Sequence, residues 1–430
     1  MRTDTEIDIP FERHRLANGL RVVLSPDISA PVVAVNLWYD VGSRNERAGR
    51  TGFAHLFEHM MFQGSANVPE TAHFALIEQA GGSLNGSTWL DRTNYYETLP
   101  AHYLELGLWL ESDRLGWLLP AMTQQKLDNQ RDVVKNERRW RVDNQPYGDW
   151  DERLQAMLYP PDHPYHHSVI GSMQDLDAAS LQDVEQFFRT YYAPNNAVLS
   201  LVGDFEARRA LELVERYFGP IPAGPPIPPI PGRTELPPTL GEEVRATVEQ
   251  DITLARVYLG YRIPAYGADA HYAALVASYV LAHGRASLLY RRLVREQRIA
   301  QDVVAYAFPI VVGAAMLVLW VTVRPSGSID AVERALLAEV ESLGSVADAD
   351  VERAIALLEA QHLDGLQTVD ERADQLSMQT TLFDDPGRIN TELARVREVS
   401  TADVRAFATR YLHAHNRAVL RYVPAPGAAR

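Results

Sequence analysis

The sequence predicts two homologous halves, each combining β-strands with α-helices, joined by a proline-rich linker. Three observations lead there. From Gly219 to Pro238 the residues read GPIPAGPPIPPIPGRTELPP, with prolines too dense for a helix or a central strand, so this stretch is a stiff extended spacer. Ser180, Asp183, Val184, Phe187, Tyr191 and Asn196 recur 220 residues later as Ser400, Asp403, Val404, Phe407, Tyr411 and Asn416, the mark of an internal duplication. Both sets lie in a helical pattern that leads into an apolar strand. The expected division is 1–218, a linker at 219–243, and 244–430.

Composition narrows the function. With 430 residues, 46% hydrophobic and 23% charged, the chain can bury a large core and reads as globular rather than disordered. A net charge of -15 argues against a nucleic-acid partner, because no basic stripe is present to neutralise phosphates. There is no cysteine, which excludes disulfides, thiolate catalysis and cysteine-based zinc sites, so any metal must use histidines and carboxylates. The first residues, MRTDTEIDIPFERHRLANGL, carry acids where an export signal needs an apolar core. A cytoplasmic protein is expected, or a periplasmic or organellar one if a leader has been removed.

In order, Phe11 to Leu16 and Leu20 to Leu24 read as a strand pair around the Asn18-Gly19 turn. Val32 to Val41 is a further β-rich run. A charged loop, Arg44 to Arg50, precedes Gly52-Phe53-Ala54-His55-Leu56-Phe57-Glu58-His59-Met60-Met61. On a helix His55 and His59 stand one turn apart on one face, so both imidazoles reach one metal ion while Glu58 leans over it. The order His-x-x-Glu-His is the inverted form of a zinc-peptidase motif. After Gly81-Gly82, Ser83 to Leu90 and Thr93 to Leu99 read as two strands, and Ala101 to Leu119 and Gln124 to about Val142 as helices. Ser180 to Tyr192 is a helix and Ala197 to Val202 a strand.

In the second half the duplication places the motif helix near residues 275–279, which read Leu-Val-Ala-Ser-Tyr and hold no metal motif. The uncharged run Val303 to Val323 is long enough to span a bilayer. Shifted back by 220 residues it falls on the strands at Ser83 to Leu99, and it contains Pro309, Gly313 and many β-branched residues, so two buried strands are expected.

Over its whole length the chain resembles the pitrilysin, insulysin and mitochondrial processing peptidase family. The pieces that carry the resemblance are AHLFEHM at 54–60, GGSLNGSTWLDRTNYYETLP at 81–100, QRDVVKNERRWRVDNQPYG at 130–148 and HHSVIGSMQDL at 166–176. It implies an α+β fold in which each half is a mostly antiparallel sheet with helices packed on one side, the halves forming a clamshell. It also implies a zinc-dependent endopeptidase acting on peptides or unfolded segments, with Zn2+ held by His55, His59 and a glutamate from the 130–148 helix, which Glu137 fits. Spacing alone leaves Glu78, Glu97, Glu105 and Glu111 as alternatives. Two histidines and a carboxylate leave one zinc position open, and Glu58 is placed as the general base. The strand at Ser83 to Ser87 is the expected edge for an extended peptide, with Asn85, Gly86 and Ser87 contacting it.

The sequence departs from the family pattern in two ways. Seven residues before Glu137 the family usually has an acid, and here stands Gln130, which can hydrogen-bond behind the ligands but carries no charge. In self-sufficient members the second half supplies an arginine and, seven residues on, a tyrosine that stabilise the oxyanion, whereas Val294 and Gln301 occupy those places here. The resemblance therefore points to the zinc-bearing subunit of a heterodimer whose homologous partner lacks zinc and supplies the Arg and Tyr, with a homodimer as the alternative. A non-catalytic scaffold subunit of the same fold is the competing function. His163, His166 and His167 read as solvated loop histidines, His413 and His415 as surface residues, and the tail PAPGAAR as frayed.

Overall fold

Two β-sheets organise the chain in the computed structural model, which describes residues 7–325 and 327–426. The last four residues of the tail lie outside that range. The first sheet is built from β1 (Glu12–Arg15), β2 (Arg21–Pro26), β3 (Val32–Tyr39), β4 (Ser83–Thr88), β5 (Thr93–Pro100) and β6 (Ala197–Gly203), in the order β1-β2-β6-β3-β5-β4. Its pairings are antiparallel except β2 with β6. Between strands lie α1 (Phe53–Met60), α2 (Ala72–Gln79), α3 (Leu104–Trp117), α4 (Gln124–Arg138), α5 (Trp150–Leu158), α6 (Met173–Asp177) and α7 (Leu181–Tyr191), and α8 (Ala207–Phe218) follows β6.

The second sheet contains β7 (Val244–Gln250), β8 (Arg256–Pro264), β9 (Ala300–Ala307), β10 (Ala314–Val323) and β11 (Arg417–Pro424), ordered β7-β11-β8-β10-β9 and antiparallel except β7 with β11. Its helices are α9 (Asp269–Ala282), α10 (Ile329–Ser342), α11 (Asp348–Gly365), α12 (Val369–Phe383), α13 (Arg388–Glu398) and α14 (Thr401–Tyr411). The apolar run Val303 to Val323 is thus the antiparallel pair β9–β10, and among the described residues no helix is long and apolar enough to cross a membrane.

The duplicated residues have duplicated tasks. Ser180 and Asp183 form a reciprocal capping box at the start of α7, as Ser400 and Asp403 do at α14. Asn196 donates to the Tyr191 carbonyl at 2.9 Å and Asn416 to the Tyr411 carbonyl at 2.8 Å, each tying a helix end to the strand that follows.

The two compact units are not the two sides of the linker. One takes the chain up to Arg138 with His167–Pro231 and Leu363–Glu392, and the other takes Arg139–His166, Gly232–His362 and the chain from Leu393 onward. The reason is that both faces of each sheet are apolar. On the first sheet Leu37, Tyr95 and Leu199 face one core together with α1, α3, α7 and α8, while Val23, Ala34, Trp38, Val198 and Val202 face the other way. That second face is covered by Val369, Ala373 and Leu376 of α12 and Ile389 of α13. Helices on a single side, as expected, would have left it in water. On the second sheet the corresponding cover is α5, where Trp150 stacks on Tyr258 at 5.3 Å and Leu154 and Leu158 pack at Gly260. Residues 219–243 contain no helix or strand. Their first part runs along the first unit, with Ile221 in its core and the Gly224 amide on Asn195 Oδ1 at 2.7 Å.

Candidate active site

Helix α1 buries Phe53, Leu56, Phe57 and Met60, and the spacing of that stripe turns His55, Glu58 and His59 toward the partly open side. Phe57 locks the helix in place, its ring lying 4.2 Å from Tyr192 and 5.7 Å from Phe188. Helix α4 is polar, with only Leu127 and Val134 buried among its residues, and it presents Glu137 one position before its end. The two helices bring His55, His59 and Glu137 together with candidate ligand atoms all within 4.8 Å of one another. His59 Nε2 is 3.3 Å and His55 Nε2 3.7 Å from Glu137 Oε2. Two zinc bonds of about 2.1 Å at a tetrahedral angle span roughly 3.4 Å, so two imidazoles and a carboxylate at this spacing fit the ion in both geometry and donor chemistry.

Glu58 sits beside this trio. Thr88 Oγ1 donates to Glu58 Oε2 at 2.6 Å, fixing the carboxylate against β4. Burial pushes its carboxyl up from the ordinary value, opposed by the Thr88 hydrogen bond and then by the nearby charges of His59 and Arg92. Gly86 allows this approach, since a Cβ there would stand 3.3 Å from Glu58 Cγ and 3.1 Å from the Tyr95 ring. β4 is the edge of its sheet, and its Gly86 amide donates to the neighbouring Asn85 side chain at 2.9 Å. Ser87 is engaged from the sheet side: Arg92 donates to its carbonyl at 2.8 Å, and its hydroxyl donates to Asn94 at 2.7 Å. Gln130 lies on α4, two turns before Glu137 and half-buried.

Of the five glutamates that spacing left open, the structure brings Glu137 to the histidines and gathers two others elsewhere. Glu97, Glu111 and His73 form a second cluster closed to solvent, with His73 Nε2 at 3.8 Å from Glu97 and 3.9 Å from Glu111. Arg114 binds both oxygens of Glu111, so protein charge already balances that carboxylate. Burial, reinforced by the charge of Glu111, holds the Glu97 carboxyl well above its usual range, and burial keeps His73 well below its own. Burial raises the Glu111 carboxyl too, opposed by the charge and hydrogen bonds of Arg114.

The histidines expected in a solvated loop are packed instead. His163 is buried and stacks on Tyr159 at 4.9 Å, burial pushing it down to about 4. His166 Nδ1 lies 2.7 Å from the Tyr159 carbonyl, and His167 Nε2 lies 2.9 Å from Glu46. Residue reading missed Thr88, Glu46 and His167. Thr88 and His167 lie inside the stretches that carry the family resemblance, but single polar residues give no periodic signal. The acid at position 46, shortly before the motif helix, is the one hint of a helix-capping role.

Comparison with known proteins gives the chain its family. The family described as Insulinase (Peptidase family M16) matches residues 21–160, and the Peptidase M16 inactive domain matches residues 178–358. Zinc protease PqqE of Helicobacter pylori is 30% identical over 342 residues, covering 79% of this chain and 76% of the relative. A probable mitochondrial-processing peptidase subunit beta of Arabidopsis thaliana is 26% identical, covering 93% of this chain and 75% of the relative. The crystal structure of a protease from Helicobacter pylori superposes with a TM-score of 0.90 at 27% identity, covering 96% of this chain and 99% of that one. A peptidase M16 inactive domain from Pseudomonas fluorescens shares the fold at a TM-score of 0.82 and 17% identity, covering 97% of this chain and 98% of that one. The chain belongs to the insulinase family of peptidases, family M16.

Proposed function

We propose that this chain is a zinc-dependent endopeptidase that hydrolyses extended peptides or unfolded protein segments. The observation that carries the reading is the convergence of His55, His59 and Glu137 beside a Glu58 that Thr88 holds against an edge strand. Zinc bound by the three ligands would supply Lewis acidity, polarising the scissile carbonyl and acidifying a water. Glu58 accepts the proton of the attacking water as its oxygen adds to the carbonyl carbon, and delivers that proton to the amine nitrogen as the C–N bond breaks. A peptide adding to β4 would displace the Asn85 side chain from the Gly86 amide and pair with the strand's backbone, which reads shape more than side-chain identity.

The oxyanion donors are proposed to come from a second, homologous chain. Val294 is buried in the helical turn Tyr290–Glu296, and Gln301 is exposed on β9. Neither offers the Arg and Tyr that the family resemblance leads one to look for, and the Arabidopsis relative is itself named as a subunit. The test is zinc analysis together with Glu58→Gln, assayed on an unstructured peptide with and without the homologous chain. Zinc retained with turnover lowered about 10²- to 10⁴-fold is expected. No zinc in the wild type and no hydrolysis with the partner would instead favour a scaffold subunit, and full turnover by the isolated chain would remove the need for a partner.

A further inference from the structure

Helix α1 starts without a cap of its own. Its N-cap is Gly52, at φ +84° and with no side chain to offer, so the first amides need acceptors from elsewhere. Glu46, completely enclosed, supplies them: its Oε2 accepts the Gly52 amide at 2.9 Å and its Oε1 the Ala54 amide at 2.7 Å. A carboxylate at this end of a helix also meets the positive end of the helix dipole. His167 completes the arrangement. Its Nε2 lies 2.9 Å from Glu46 Oε2 and 3.2 Å from the Ser43 carbonyl, and because a carbonyl only accepts, this nitrogen carries the proton and donates to both.

The segment that begins at His167 clasps α1 at further points. Thr51 donates to Asp175 Oδ2 through its amide at 2.9 Å and its hydroxyl at 2.6 Å, and the Ser172 amide returns a bond to Thr51 Oγ1 at 3.1 Å. Gly52 and Gly171 pass so closely that a Cβ on Gly171 would stand 2.2 Å from the Gly52 nitrogen. The same segment grips the other metal-bearing helix. Arg131, Lys135 and Arg138 form one stripe along α4 and bond, in order, to the Ala179 carbonyl at 2.5 Å, to Asp177 at 2.5 Å and to the Gly171 carbonyl at 2.6 Å. Gly171 therefore touches the start of α1 on one side and the residue next to Glu137 on the other.

We propose that Glu46 and His167 are positioning residues for the metal centre: with residues 167–179 they form a brace that sets the separation of α1 from α4, and so the distance of His55 and His59 from Glu137. The inference rests on the zinc reading of that trio. Misplaced outer partners of metal ligands cost about 10- to 100-fold in metal affinity, and a shift of the whole α1 N-terminus acts on both histidines together.

The test is zinc affinity, measured by competition with a chromophoric chelator, together with hydrogen exchange at the Gly52 and Ala54 amides. His167→Ala is expected to weaken zinc binding about tenfold, the low end of that range, and to speed exchange at both amides. His167→Gln, which keeps a donor at similar reach, is expected to restore most of the affinity. Ser400→Ala, in the other unit, is the control: it lowers stability and leaves zinc affinity unchanged. Wild-type zinc affinity in a folded His167→Ala chain overturns the positioning role. Failure of the wild-type chain to bind zinc overturns the metal reading instead. Should His167→Ala not fold, Asp175→Asn, at a half-buried position of the same brace, is measured in its place: weakened zinc binding supports the brace, and unchanged binding overturns it.

Discussion

The helix that follows β3 and the helix that follows β8 occupy the same place in two copies of one frame, yet they have opposite surfaces. Helix α1 turns His55, Glu58 and His59 to the partly open side, whereas α9 buries His271, Tyr272, Ala273, Ala274, Val276, Ala277, Ser278, Val280 and Leu281. Its one histidine inside the helix, His271, bonds the Pro264 carbonyl at 3.1 Å, and burial pushes it down to about 4. The frame around both helices is unchanged: the same capping boxes, the same asparagine ties and the same strand order from β2 to β4 and from β7 to β9. The comparison teaches that the fold rests on caps and sheet cores, leaving the helix that follows the second of these strands in chain order free to hold a site or to fill space.

The covers of the two sheets differ as well, and this gives the largest stability test. On the first sheet Asp374 of α12 accepts from Trp38 Nε1 at 2.8 Å, Asn94 Nδ2 at 2.9 Å and Asn36 Nδ2 at 3.2 Å. On the second sheet the polar tie runs the other way, Arg262 of β8 donating to the Leu158 carbonyl of α5 beside the stacking of Trp150 on Tyr258. Asp374→Ala strands three donors and is expected to cost about 2–3 kcal/mol in urea unfolding. A cost below half of that would mean α12 is held by its apolar residues alone.

A second test sharpens the contrast between the strands. Strand register places Val321 of β10 where β5 carries Glu97. Burial raises the Glu97 carboxyl in the fold above its value in the unfolded chain, so the folded state keeps that proton to higher pH and loses stability as pH rises above the ordinary carboxyl value. Glu97→Gln removes that dependence. Its urea midpoint, relative to wild type, should climb from pH 5 to pH 8, and parallel curves would show that Glu97 is ionised in the fold. The smallest effect tests equivalence itself: Ser180→Ala and Ser400→Ala should each cost about 1 kcal/mol. A clear inequality between the two would break the claim of a common frame.

Much of this was legible in the sequence because it is local. The motif, the linker and the strand character of Val303 to Val323 each declare themselves within a short window. Glu137 is a middle case, since spacing left five glutamates open and the family resemblance chose the one that the structure brings to His55 and His59. What stayed hidden depends on distant partners. No pattern in α12 says that its Val369, Ala373 and Leu376 cover a sheet formed more than 160 residues earlier. Likewise His167 has an ordinary loop context until folding puts Glu46 beside it.

The exchange of covering helices also constrains synthesis. At the 220-residue offset of the duplication, α5 falls on residues 370–378, inside α12, so each half lends the corresponding helix to the other's sheet. A ribosome that has passed the linker has made every strand of the first sheet, but the helices that cover Ala34, Trp38, Val198 and Val202 arrive only with residues 363–392. The nascent N-terminal half keeps that apolar face uncovered until α12 and α13 have been made, a surface suited to chaperone binding.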